Sequence, residues 1–305
     1  VLGISDNYGK NWRTKVIHTG TITRPALVMA SNGSIMAYFI ENSNLEARFS
    51  EDMGLTWGNM ITLQDDLVNA INNPSCASDG NSNFHCVYIY GAVGSSGAEY
   101  INSSFWNSTA TPVDVNNVGA DNTNEVDIEI SSSGVPYVVG TGTDEDDVDI
   151  WSPDILGWTD AGRFIIIDSV SYIEGRGNDI SIRNYSGQDQ IYIISTVRGG
   201  LFISNSTVSN NQTWQVITRV VSGTNAEPTG ALTSRGRFEG LYSNATAVNV
   251  VNGIARVNNT NYTFGSKYSL NLTQEIGGAN YPVIRDSNFP IWNRLDGSNG
   301  TIDYI

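Results

Sequence analysis

The sequence predicts an all-β fold, a six-bladed β-propeller of four-stranded antiparallel blades forming one domain over residues 1–305. Three observations carry that expectation. A unit of about fifty residues recurs along the chain. No stretch keeps a sustained 3.6-residue apolar period. Short runs rich in β-branched and aromatic residues alternate with Gly, Asn and Ser turn signals.

Each unit opens with a residue pair just ahead of an apolar strand: Arg24-Pro25, Asn73-Pro74, Asn124-Glu125, Asn178-Asp179, Glu227-Pro228 and Tyr281-Pro282. The second residues of these pairs are 49, 51, 54, 49 and 54 positions apart. In the first unit the strands read ALVMAS, SIMAYFI after the Asn32-Gly33 turn, and LEARFS. The third repeats the plan as VDIEISSSGVPYVVGTG and the fourth as DISIRNYSGQDQIYIIST. Antiparallel units of this length arranged about an axis make propeller blades. A double β-sandwich uses the same strands but leaves the regular spacing unexplained.

The chain ends compete for one place. Residues 1–18 are expected to close the last blade, yet Val1–Ser5 and Thr301–Ile305 both read as its third strand. The surplus segment then forms an extra edge strand or exchanges with a neighbouring molecule, a route to a homo-oligomer or filament.

The turn after the third strand carries a second signature. Ser50-Glu51-Asp52-Met53-Gly54-Leu55-Thr56-Trp57 matches S-x-D-x-G-x-T-W at each fixed position, and Ser5–Trp12 matches with Asn at the Asp and Thr places. Weaker relics run from Ser152-Pro153-Asp154 to Trp158 and from Ser204 to Trp214. The Asp side chain accepts bonds from turn N–H groups, Gly supplies a positive φ, and Trp packs between blades.

These turns are Asp-box (BNR) repeats, and with the six openings the chain resembles a sialidase-like six-bladed propeller. Thr23-Arg24-Pro25-Ala26-Leu27-Val28, followed by Asn32-Gly33-Ser34 and the full Asp box, is similar to the sialidase opening with its Arg-Ile-Pro motif. Glu227-Pro228 resembles the family's Asn-Glu-Pro segment. The resemblance implies a ring at the tunnel mouth formed by Arg24, Asn73, Asn124, Asn178, Glu227 and Tyr281. Within it, Arg24 corresponds to a carboxylate clamp, Tyr281 to a nucleophile and Glu227 to its base. A phenol with an ordinary pKa near 10 needs such a base. The family's proton-donor Asp has Asn44 in its place, and an amide cannot protonate a leaving group. The other arginines of the carboxylate site have no counterparts at matching positions. Asp boxes mark architecture rather than chemistry.

Composition bounds the partners. The formal charge is −15, only 15% of residues are charged, against about 25% in an ordinary globular chain, and lysine occurs three times. The surface is therefore covered by the 34 Asn, 32 Ser, 24 Thr and 31 Gly residues. Such a surface repels phosphate backbones and anionic headgroups, which argues against nucleic-acid and membrane partners. No apolar window is long enough for a membrane-spanning helix.

Cys76 and Cys86 flank a short polar segment between β-like runs, a spacing that suits a disulfide across adjacent strands, with two buried thiols as the alternative. Eleven Asn-x-Ser/Thr sequons are glycosylation candidates: Asn32, Asn102, Asn107, Asn184, Asn205, Asn211, Asn244, Asn258, Asn261, Asn271 and Asn299. With the scarce lysine they favour an extracellular, cell-surface or virion-surface location. Asp144, Asp146, Asp147 and Asp149 form an acidic loop of hard oxygen ligands for Ca²⁺ or, lacking the EF-hand glycine, a solvated loop. No other cofactor is expected, and His18 and His85 are too far apart in the repeat for a zinc site.

The functional expectation is a recognition or assembly propeller that binds a glycan or a surface protein at the tunnel mouth without hydrolysis. A sialidase-type exo-glycosidase and a structural subunit of a filament, surface layer or virion are the alternatives.

Overall fold

The structure is a computed structural model of the chain. It describes residues 1–4, 11–65, 71–79, 83–91, 97–102, 113–115, 123–142, 147–154, 157–165, 178–185, 187–197, 200–207, 215–222, 226–232, 237–244, 247–254, 263–264, 268–270, 279–283, 291–296 and 299–304, with the backbone alone at 102, 113–114, 123–124, 141–142, 147–154, 157–165, 178, 185 and from 194 onward. Among the described residues every regular element is a strand.

The strands form successive antiparallel sheets in chain order. A short pair, β1 (Leu2–Ile4) and β2 (Arg13–Lys15), precedes the first four-stranded sheet of β3 (Thr23–Met29), β4 (Ile35–Glu41), β5 (Asn44–Ser50) and β6 (Ile61–Gln64). The second sheet holds β7 (Asn72–Ser78), β8 (Phe84–Tyr90), β9 (Gly97–Asn102) and β10 (Val113–Asp114). The third holds β11 (Thr123–Ile130), β12 (Pro136–Gly142), β13 (Asp147–Asp154) and β14 (Gly157–Ile165). The fourth holds β15 (Asn178–Tyr185), β16 (Gln188–Val197), β17 (Gly200–Thr207) and β18 (Gln215–Ser222). The fifth is built from β19 (Ala226–Leu232), β20 (Arg237–Asn244), β21 (Ala247–Ile254), β22 (Thr263–Phe264) and β23 (Tyr268–Leu270). The last has β24 (Ala279–Val283), β25 (Ile291–Asp296) and β26 (Asn299–Tyr304). In each of the six larger sheets the strands follow one another as a meander, save that β22 and β23 both pair with β21 in the fifth, and the first strand of one packs against the first strand of the next.

Packing between sheets explains why the second strands read as almost unbroken apolar runs. Phe84, Cys86 and Tyr88 on β8 join Met36, Tyr38, Ile40, Leu45, Ala47 and Phe49 of the first sheet in one core. Their neighbours Val87 and Ile89 join Val126, Ile128, Ile130 and Val138 of the third sheet in another. Alternate side chains of one strand thus serve two interfaces, a pattern that removes the usual polar face. Cys76 and Cys86 are cross-strand partners on β7 and β8 and form a disulfide, with Cα atoms 4.1 Å apart.

Polar bonds tie neighbouring sheets where their first strands meet. Asp127 on β11 accepts from the Ser75 hydroxyl of the second sheet and from the Ile180 N–H of the fourth, the latter at 2.9 Å. Asp189 on β16, 7% exposed, accepts from the Ser132 N–H (2.8 Å) and hydroxyl (2.9 Å) of the third sheet.

The Asp box forms as its residue types dictate. Asp52 Oδ1 accepts from the Thr56 N–H (2.7 Å), its Oδ2 accepts from the Thr56 hydroxyl (2.6 Å), and Ser50 Oγ accepts from the Gly54 N–H (2.8 Å). Gly54 has φ +83°. The Trp57 indole is half-buried and donates to the Gly54 carbonyl at 3.1 Å.

The N-terminal segment lies against the first sheet. Lys15 donates to the Leu55 carbonyl, Arg48 to the Ile17 carbonyl, and His18 stacks on Phe39 at 4.9 Å while bonding Glu41 at 3.1 Å. β1 pairs with β2, and β26 takes the third position of the last sheet. The two segments that the sequence set in competition therefore occupy separate sheets.

Two outcomes test these contacts. The Thr56 bonds lower the Asp52 carboxyl from its ordinary 3.8 to about 2. A depressed carboxyl contributes its stabilisation in full above about pH 4 and loses it as the pH falls through the lower value. Carbon-13 NMR of the Asp52 carboxyl is expected to titrate near 2 in the native chain and closer to 3.8 in Thr56→Val. Asp127→Ala strips an acceptor from two neighbouring sheets and is expected to cost about 1–3 kcal/mol in urea unfolding.

Candidate functional site

The residues named at the strand openings share one local geometry. In β3 the pairing with β4 shifts between Thr23 and Ala26, so that Arg24 and Pro25 together oppose Phe39. The same extra residue occurs between Asn72 and Ser75, between Thr123 and Glu125, between Ala226 and Thr229, and between Ala279 and Pro282. These β-bulges hold Asn73, Asn124, Glu227 and Tyr281 respectively. A bulge bends its strand and re-aims the side chain it carries. Proline explains three of the five, Pro25, Pro74 and Pro228 lying within their bulges, because a residue without an N–H disrupts a ladder and is tolerated at a bulge or edge; Pro282 follows the last bulge and pairs with Trp292. The fourth sheet departs from this plan: Asn178 pairs regularly with Ser195 at the start of β15.

Two of the bulges are strained. Arg24 has φ +52° and Asn73 φ +46°. Asn tolerates the left-handed region, but Arg there costs about 1–2 kcal/mol. Arg24 is exposed and Asn73 half-buried. Strain at an exposed Arg within a repeated bulge fits a functional position better than a packing one. For Asn124, Asn178, Glu227 and Tyr281 the backbone alone is described. β19 and β24, which carry Glu227 and Tyr281, are in contact.

Asn44 begins β5, two residues ahead of Glu46, which sequence reasoning passed over. Glu46 is 4% exposed, and its Oε1 accepts from the Thr62 hydroxyl at 3.0 Å. Burial pushes its carboxyl above the usual range, with the charges of Glu41 and Asp65 adding to the effect. Its position opposite Phe39 in a third strand gave no sequence signal, since an acid in an alternating strand ordinarily faces water. His85 was likewise missed as a core residue: it is 8% exposed, its Nδ1 lies 2.6 Å from the Tyr100 hydroxyl, and burial lowers its pKa.

Other predicted positions scatter. Asp144 and Asp146 lie outside the described residues, while Asp147 and Asp149 sit on β13 opposite Ile165 and Arg163. Among the described residues no group of three or more His, Cys, Asp or Glu is placed to hold a metal. Of the sequons, Asn32 occupies the turn after β3, and Asn184 lies at the C-terminal end of β15, paired with Asp189. Asn102, Asn205, Asn244 and Asn299 fall on β9, β17, β20 and β26, and Asn107, Asn211, Asn258, Asn261 and Asn271 lie outside the described residues.

No protein-family model and no curated protein matches the chain. Solved structures do. A protein of unknown function from Dyadobacter fermentans matches with a TM-score of 0.63 at 13% identity, over 92% of this chain and 93% of that one. NanB sialidase from Streptococcus pneumoniae, as its K499G mutant, matches with a TM-score of 0.53 at 10% identity over 97% and 70%. Aleuria aurantia lectin, crystallised with α-methyl-L-fucoside, matches with a TM-score of 0.55 at 9% identity over 92% and 93%. At such identities the likeness concerns the fold: the chain is an all-β protein similar to β-propeller proteins.

The left-handed backbone at position 24 has a direct test. Arg24→Gly is expected to unfold at higher denaturant than Arg24→Ala, by about 1 kcal/mol, because glycine alone adopts this φ without a Cβ penalty.

Proposed function

We propose that the chain is a secreted or surface-exposed six-bladed β-propeller that recognises a glycan at its tunnel mouth without hydrolysing it. The observation that carries this reading is the repeated bulge, which holds Arg24, Asn73, Asn124, Glu227 and Tyr281 near the start of the first strand in five of the six larger sheets. The residue types suit a sugar. A guanidinium grips a carboxylate through two parallel bonds. Side-chain amides both donate to and accept from hydroxyls, and a phenol offers an apolar face with a polar tip. The disulfide supports an oxidising location.

Asn44 supports the absence of hydrolysis, because the proton donor that the sialidase resemblance requires is replaced by an amide. One observation favours an exo-glycosidase as the second reading: Glu227 and Tyr281 open neighbouring sheets that touch, the relation a base and its nucleophile need.

Binding to a panel of neutral and carboxylate-bearing oligosaccharides separates the readings. Saturable binding is expected, and Arg24→Ala is expected to weaken a carboxylate-bearing ligand about tenfold to a hundredfold, the worth of a charge-assisted bond of about 1.5–3 kcal/mol. No turnover of a fluorogenic sialoside is expected. Turnover abolished by Tyr281→Phe establishes the exo-glycosidase instead, and absence of binding to every glycan sinks the recognition reading.

A further inference from the structure

We propose that Asn32 is an N-glycosylation site and that Asn184, although it also sits in a sequon, at the end of β15, is closed to glycan by a structural role. Asn32-Gly33-Ser34 forms the turn between β3 and β4. The turn is closed by its own backbone, Ala30 N–H to the Ser34 carbonyl at 2.8 Å and Gly33 N–H to the Ala30 carbonyl at 3.0 Å. The Asn32 side-chain oxygen accepts the Ser34 N–H at 2.9 Å, and the residue is exposed. The bond that holds the side chain thus uses its oxygen. The amide nitrogen, the atom that a glycan takes, is not needed by the turn.

Asn184 reverses that allocation. Its oxygen accepts the Gly187 N–H at 3.1 Å, and its nitrogen donates to Asp189 Oδ1 at 2.9 Å and to the Ser132 hydroxyl of the third sheet at 3.3 Å. Both amide protons are therefore engaged. Attachment of a sugar replaces one of them and sets a ring where Asp189 or Ser132 stands. Asp189 is 7% exposed, and a buried carboxylate that loses a donor is destabilised.

The chemistry is a group transfer. A C1–Nδ2 bond forms on the Asn32 amide, the C1–O bond of a lipid-diphosphate-linked oligosaccharide donor breaks, and the lipid diphosphate leaves with the amide proton passing to solvent. Attachment in the secretory pathway precedes folding, so the folded structure filters which glycosylated chains survive. A glycan on Asn32 stands at the opposite end of β3 from Arg24 and leaves the bulges unobstructed.

The test is secretion of the chain from a eukaryotic cell, isolation of the folded fraction and glycopeptide mass spectrometry before and after peptide N-glycosidase. A glycan on the Asn32 peptide and a bare Asn184 peptide are expected. A bare Asn32 or a glycosylated Asn184 in folded material overturns the proposal. A second measurement reads the structural half without a glycan: Asn184→Gln is expected to lower Tm by about 2–4 °C and Asn32→Gln to leave it unchanged. Equal Tm values for the two variants also overturn it.

Discussion

Among the described residues the first strand of each larger sheet has one edge without a β partner, and the backbone groups on that edge need partners from elsewhere. Asp127 answers this requirement at the third and fourth sheets. Its carboxylate takes the Ile180 N–H from one neighbour while holding Ser75 of the other. Because the tie joins first strands, it sets the spacing between successive strand openings. Residues placed on those openings inherit that spacing, so the candidate site depends on a carboxylate that takes no part in it.

A second tie works at the far ends of the same strands. Asp189 clasps both the N–H and the hydroxyl of Ser132, so neighbouring sheets are pinned at the turn as well as along the strand. Beside these ties lie apolar layers, and the second sheet contributes both its faces to them. Hydrophobic burial supplies the attraction between layers, and the polar ties select one alignment among the many that sliding apolar faces allow.

Much of this was legible because it is local. Three of the five bulges contain prolines that open a repeat, at positions 25, 74 and 228, and a fourth, Pro282, directly follows its bulge. Asn178, which is followed by Asp179 rather than proline, pairs without a bulge, so the alignment found its position but not its different geometry. The Asp box folded as its side chains require, and the cysteines paired as their spacing suggested. What escaped was non-local. Asp127 and Ile180 are 53 residues apart, and Ser132 and Asp189 are 57 apart. Nothing in the alternating pattern around Asp127 distinguishes an acid that faces solvent from one that bridges sheets. Glu46 and His85 were hidden because nothing in their own strands marks the side chains they meet on other strands, Thr62 of β6 and Tyr100 of β9.

The disulfide acts on a different scale from these ties. Cys76 and Cys86 are 10 residues apart on paired strands of one hairpin, so closing the bond restricts the unfolded chain by about 2–3 kcal/mol. With two cysteines in the chain there is no competing partner. Oxidation therefore needs no more than this hairpin, whose formation is fast compared with docking of distant sheets. The second sheet can be covalently committed to its register while the remaining sheets are still being made, giving an emerging chain a fixed template on which its neighbours assemble.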